Sequence, residues 1–61
     1  MWILLIYLIS SDVPTEWGRV AAASKESCVQ AAQNMIARGE ASDKALYCIN
    51  STTGETVIIK P

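Results

Sequence analysis

The chain contains no histidine. This absence removes the most common general base, the most common transition-metal ligand and the side chain that titrates near neutral pH. Two cysteines, Cys28 and Cys48, cannot complete a four-ligand zinc site within one chain that lacks histidine, and they lack the C-x-x-C spacing of a redox motif. No pair of acidic residues has a spacing diagnostic of acid–base catalysis. The composition therefore predicts a protein that is not an enzyme and that holds no metal or cofactor.

An excess of charge of one sign is also missing. The net charge is −1, and five basic residues are scattered among six acidic ones. Binding to duplex nucleic acid usually requires a basic stripe, so we expect no such partner. A nearly neutral protein is also poorly protected against association.

The chain lacks an apolar run long enough to cross a bilayer as a helix, which needs roughly 20 residues. The longest run, WILLIYLI at residues 2–9, has no basic segment before it and a poor signal-peptidase site after it. Its length and the Ser-Ser-Asp-x-Pro turn that follows favour a strand buried on both faces. A membrane-targeting segment is the alternative, and we regard a membrane partner as the weaker interpretation.

A chain of 61 residues accommodates a single domain, to which we assign residues 1–61. With 51% hydrophobic residues it is expected to fold. A domain of this size buries only about 60% of the surface that its unfolded chain exposes. Disulfides, metals or self-association usually supply the missing stability.

Local patterns predict a ββαββ order. Glu16–Ala23 is the weaker strand candidate, with Val20 and Ala22 on one face and Trp17, Arg19 and Ala21 on the other. Residues 24–38 have helical periodicity, with Ser24 as N-cap and Gly39 after the last turn. The predicted class is α+β, a mainly antiparallel sheet of three or four strands with one helix on one face.

The last segment predicts a hairpin in which strands 45–50 and 55–60 flank a Ser-Thr-Thr-Gly turn. A four-residue loop would place Cys48 opposite Val57, whereas a three-residue loop would place it opposite Ile58. Both registers leave apolar side chains on the two faces of the sheet.

One helix can cover only one face of this sheet, so a second apolar face is expected to need a partner. From the first strand, that face contains either Trp2, Leu4, Ile6 and Leu8 or Ile3, Leu5, Tyr7 and Ile9. We choose Trp2, Leu4, Ile6 and Ile49 as interface candidates, and a homo-oligomer as the expected outcome. A surface for another protein is the alternative.

Two groups of residues are candidates for more specific roles. Cys28 and Cys48 would face each other between helix and strand, either as a disulfide or as buried free thiols in a reducing cytosol. Trp17 and Arg19, with Tyr7 and Tyr47 nearby, could stack on a base and pair with the phosphate of an anionic nucleotide. Packing of Trp17 at an edge is the alternative for the second group.

The helix start Ser24-Lys25-Glu26-Ser27-Cys28 and the strand containing Tyr47-Cys48 resemble those of small uncharacterised bacteriophage and proteobacterial proteins. These proteins combine an S-K-x-x-C-x-x-A-A helix start, matched here through Ala31 and Ala32, with a Y-x-C strand, from which this chain departs because Tyr47 and Cys48 are adjacent. The strand after Gly54 departs from their shorter pattern. The resemblance implies a phage accessory protein with an anti-defence role, which inhibits a host enzyme or sequesters a nucleotide signal.

The sequence thus predicts a small, non-enzymatic, self-associating binding protein in the cytoplasm of a host cell. Its partners would be further copies of itself and a host protein or nucleotide. The alternative is a disulfide-bonded structural protein of the periplasm or envelope, anchored by its apolar N-terminus.

Overall fold

The computed structural model describes residues 1–9, 12–13 and 15–60. Ser10, Ser11 and Pro14 of the predicted turn, together with Pro61, lie outside the described residues. The described residues form the expected ββαββ order: β1 Trp2–Leu8, β2 Thr15–Ala22, α1 Lys25–Ala37, β3 Lys44–Asn50 and β4 Thr56–Ile59. The predicted α+β class is confirmed.

The sheet is antiparallel throughout, with the strand order β2-β1-β3-β4. The apolar segment β1 is therefore one of two central strands, flanked by β2 and β3. Hydrogen bonds extend its pairing with β3 beyond both ends, from Ile9 N to Asp43 O (2.9 Å) and from Ser51 N to Met1 O (2.9 Å). Central position explains why a continuous apolar run is tolerated here.

The helix begins and ends where its local signals predict. Ser24 is the N-cap, and its hydroxyl accepts a hydrogen bond from Ser27 N (3.2 Å). After the last turn, Gly39 has a φ of 75°, a conformation that glycine adopts without steric cost. The buried helix residues Cys28, Ala32 and Met35 lie on one face, which packs on the sheet.

The β3–β4 hairpin adopts the first of the two expected registers. Cys48 pairs with Val57, and Asn50 N donates to Glu55 O (2.8 Å), which closes the four-residue loop 51–54. The side chain of Asn50 stabilises this loop, because its Oδ1 accepts hydrogen bonds from the backbone N of Thr52 and Thr53.

The core lies between α1 and one face of the sheet. Leu4 and Ile6 are 1% and 2% exposed, and together with Leu46 and Cys48 they form the sheet side of the core. Trp2 packs at its margin. The choice of Leu4 and Ile6 as interface residues was therefore wrong, because both are buried in the core between the helix and the sheet, whereas Trp2 is only partly buried.

Candidate functional site

The candidate site is the other face of the sheet, here called the open face. Residues that pair across neighbouring strands share a face, so the registers arrange the open face in three rows. The first row is Ala21, Ile3, Ile49 and Thr56; the second is Arg19, Leu5, Tyr47 and Ile58; the third is Glu16, Tyr7 and Ala45. Ile49 is the one chosen interface candidate that belongs to it.

The centre of the open face is apolar and partly accessible. The side chains of Ile3, Leu5, Tyr47 and Ile49 are half-buried by their neighbours in the sheet, and Ile58 at the edge is 62% exposed. The expectation of a second apolar face is confirmed in one respect: the face away from the helix carries large apolar side chains.

Two tyrosines interact across the central strands. The rings of Tyr7 and Tyr47 have centroids 5.8 Å apart and an edge-to-face geometry with an interplanar angle of 73°. Such pairs stabilise their arrangement by roughly 0.5–1.5 kcal/mol beyond the area that they bury. The pair therefore forms a fixed aromatic element on the open face.

One ion pair borders the open face on β2. Arg19 Nε donates to both carboxylate oxygens of Glu16, at 3.0 and 3.1 Å. The hydrogen bond to Glu16 raises the pKa of the Arg19 guanidinium above its ordinary value. The arginine is thus a permanent cation whose charge is already matched by a carboxylate.

An irregularity in β2 brings these two side chains together. Gly18 pairs with Ile6 and Glu16 pairs with Tyr7, so Trp17 has no register partner in β1. An extra residue of this kind interrupts the alternation of side chains. Without it, residues three apart on a strand would point to opposite faces.

Trp17 has a different neighbour from Arg19. Trp17 is 58% exposed, and Lys44 Nζ lies 5.1 Å from its ring centroid, a cation–π distance. The expected regular alternation, with Trp17 and Arg19 on one face, is thus broken by the extra residue. Arg19, Tyr7 and Tyr47 all belong to the open face, whereas Trp17 contacts a lysine of β3.

Lys44 forms a small polar cluster where the helix connects to β3. Its Nζ donates to Glu40 O (2.9 Å) and to Asp43 Oδ1 (3.0 Å), and its side chain is only 14% exposed. The hydrogen bond from Lys44 lowers the pKa of the Asp43 carboxyl. Lys44 thus connects Trp17 to this polar cluster.

Cys28 and Cys48 form a disulfide, with their Cα atoms 6.0 Å apart. Of the two alternatives left open by the sequence, a disulfide or two buried free thiols, the structure contains the disulfide. Both residues are fully buried in the core.

The open face is a broad surface and not a cavity. Residues 1–9, 12–13 and 15–60 contain neither a detectable pocket nor a group of three metal-ligating side chains. In that same part of the chain, no helix has the length and apolarity needed to cross a membrane.

Family models, curated proteins and solved structures were compared with the chain, and none of them matches it. The resemblance to phage and proteobacterial proteins stays a prediction. Sequence reasoning missed Ile58 and Glu16 as members of the open face. Ile58 follows from the hairpin register, whereas Glu16 reaches that face only because of the irregularity in β2.

Proposed function

We propose that this protein is a non-enzymatic binding protein that self-associates through its open face. The observation that carries the proposal is the apolar row Leu5, Tyr47 and Ile58, flanked by Ile3 and Ile49, on the side of the sheet away from the helix. Contiguous apolar surface of this kind usually marks an interaction site.

The size of the open face fits a second copy of the chain. The molecule measures 30 × 24 × 15 Å. A broad side therefore spans at most about 700 Å² in projection, which is of the same order as the ≈ 800 Å² that each partner contributes to a standard stable interface. Two open faces stacked on each other would form a sandwich of two four-stranded sheets, an ordinary arrangement with a core about 10 Å thick.

The edges of the sheet are less suited to association. The edge strand β4 has four residues and is followed by Lys60, and the edge strand β2 is interrupted at Trp17. Short strands, edge lysines and irregularities are the features that protect sheet edges from pairing with other chains. Association through the face is therefore favoured over extension of the sheet.

Charge on the open face is balanced, which suits a self-complementary interface. Glu16 and Arg19 neutralise each other, so two copies can approach without repulsion between like charges. In a two-fold dimer, the same pair on each copy can exchange partners across the interface.

The experiment compares two substitutions on edge strands by sedimentation velocity over a range of concentrations. Ile58→Lys places a charge on the open face. Val20→Lys is the matched control, because Val20 is 46% exposed and pairs with Leu4 on the helix-covered face. We expect the wild type and Val20→Lys to associate at micromolar concentration and Ile58→Lys to remain monomeric. A monomeric wild type, or equal effects of the two substitutions, would contradict the proposal.

The resemblance also implies a more specific role, the sequestration of a nucleotide. The position of Arg19 beside Tyr7 and Tyr47 supports this role. Against it, a phosphate would have to displace the Glu16 carboxylate from Arg19. Native mass spectrometry of protein taken from cells tests this role, because it reports subunit number and a co-purifying nucleotide together. A bound nucleotide that Arg19→Ala abolishes would support it, and protein free of nucleotide would count against it.

The disulfide favours a second candidate, a structural protein of an oxidising compartment such as the periplasm or envelope. Disulfides persist in such compartments and are rare in the cytosol. Thiol labelling of Cys28 and Cys48 in freshly lysed cells, with cell fractionation, separates the candidates. Oxidised protein in the envelope fraction supports the second candidate, and reduced protein in the cytosol supports a cytosolic binder.

A further inference from the structure

The attachment of the helix to the sheet depends on few side chains. The buried residues that α1 contributes are Cys28, Ala32 and Met35. Ala32 buries little apolar surface because its side chain is a single methyl group. Met35 is the one long side chain of the three, and it is flexible. Val29, Ala31 and Ile36 add partial burial around these three.

An ion pair also joins the helix to the hairpin, but it lies in solvent. Lys25 Nζ and Glu55 Oε2 are 3.1 Å apart, and their side chains are 47% and 52% exposed. Solvent-exposed ion pairs of this kind contribute between zero and about 1 kcal/mol. This contact alone is too weak to hold α1 in place.

The disulfide is the covalent connection between the two layers. Cys28 lies in the first turn of α1 and Cys48 lies in the central strand β3, and the two are 20 residues apart in sequence. Closing a loop of this length stabilises a fold by roughly 3 kcal/mol, which corresponds to about a hundredfold in the closing equilibrium.

We propose that α1 is a redox-dependent cover of the sheet. Reduction of Cys28–Cys48 by a dithiol releases the helix and exposes a second apolar face formed by Leu4, Ile6 and Leu46. The pairing of β1 with β2 and β3 does not pass through the disulfide, so the sheet persists.

The reaction is an ordinary thiol–disulfide exchange. A thiolate of the dithiol attacks one sulfur, which breaks the Cys28–Cys48 bond and forms a mixed disulfide. The second thiolate of the reductant then attacks the mixed disulfide and releases the protein cysteine from it. Two electrons pass to the protein, the reductant becomes a cyclic disulfide, and each cysteine sulfur takes up a proton.

Burial determines how this reaction proceeds. Cys28 and Cys48 are each 0% exposed, so a reductant reaches the sulfur atoms only during a transient local opening, which precedes reduction and is distinct from the lasting release of the helix that follows it. The reduction rate should therefore rise with mild denaturant and become independent of dithiothreitol at high concentration. A rate that stays proportional to dithiothreitol throughout and ignores denaturant would show that the sulfurs are attacked in the closed fold, and would overturn this step.

Hydrogen exchange of the full chain, with and without dithiothreitol, tests the release of the helix. We expect the protection factors of α1 amides to fall by roughly a hundredfold on reduction, while amides that pair β1 with β3 keep most of their protection. Retained protection in α1 would overturn the proposal. An equal loss of protection in the helix and the sheet would also overturn the proposal, because the disulfide would then stabilise the whole domain and not the helix alone.

Two variants separate the covalent bond from side-chain packing. Cys28→Ala combined with Cys48→Ala should reproduce the reduced state without a reductant. Met35→Ala removes the largest buried helix side chain and leaves the disulfide intact, and it should preserve more protection in α1 than reduction does. If Met35→Ala releases the helix as fully as reduction, packing holds the cover and the proposal fails.

Discussion

At the scale of single residues, Asn50 and Gly54 determine how the chain turns between β3 and β4. Asn50 Oδ1 accepts two backbone hydrogen bonds, and Gly54, with a φ of 79°, donates from its N to Asn50 O (2.8 Å). A side chain at this φ would contact the adjacent backbone. The loop thus depends on the amide side chain of Asn50 and on the lack of a side chain at Gly54.

Gly54→Ala tests this dependence. We expect it to lower the free energy of unfolding by about 1–2 kcal/mol, because alanine is strained at positive φ. Gly18→Ala is the control: Gly18 has no positive φ, and an added Cβ meets nothing within 4 Å. Urea unfolding of both variants gives the comparison, and equal stabilities would show that Gly54 is not required.

At the scale of elements, the helix is specified locally and β2 is not. Ser24 caps α1, Glu26 lies in its first turn, and Gly39 follows its end, so each boundary has its own signal in the chain. The irregularity in β2 has only a weak signal, because Gly18 inside the strand can accompany a bulge but TEWGRVAA can also alternate regularly. Pairing with β1 places the extra residue at Trp17.

Ser24→Ala should destabilise the domain by about 1 kcal/mol, since the hydrogen bond to Ser27 N satisfies a free donor at the helix start. Ser42→Ala serves as the control, because Ser42 is an exposed turn residue outside the helix. Thermal unfolding followed by circular dichroism measures both. A Ser24 variant as stable as the Ser42 variant would contradict the assignment of the cap.

At the scale of the whole molecule, two neighbouring leucines have opposite environments. Leu4 is 1% exposed beneath α1, whereas Leu5 is half-buried on the open face. Nothing in their side chains distinguishes them. Their different roles arise because successive residues of a strand point to opposite faces and the helix covers only one of the two.

Leu4→Ala should therefore affect mainly the stability of the domain, and Leu5→Ala mainly its self-association. Leu4→Ala should lower the free energy of unfolding by about 2–5 kcal/mol through loss of core packing. Leu5→Ala should cost less stability in dilute solution but should weaken self-association by roughly tenfold or more, as expected for a central apolar contact. Urea unfolding and sedimentation velocity measure the two effects, and the reverse pattern would contradict the assignment of faces.

Much of the fold follows from sequence, for reasons specific to each segment. Helical periodicity and its caps give α1, and the Ser-Thr-Thr-Gly segment ending at Gly54 gives the hairpin turn. Cys28 on the inner side of the helix and Cys48 in a strand indicated that the two cysteines lie close together, but left a disulfide and two free thiols as equal alternatives. The interface candidates Leu4 and Ile6 were wrong, because WILLIYLI is equally apolar at odd and even positions and contains no signal for which set the helix will cover.

The sequence by itself determined the elements, their order and the surplus of apolar strand residues, because propensities, caps and turn residues act within a few positions of the chain. The tertiary structure alone decided that β1 is central, which of its two faces is open, and that Glu16 joins Arg19 beside that face. These outcomes depend on which strands pair and in which register, and that choice minimises the free energy of the whole molecule and not of any one segment.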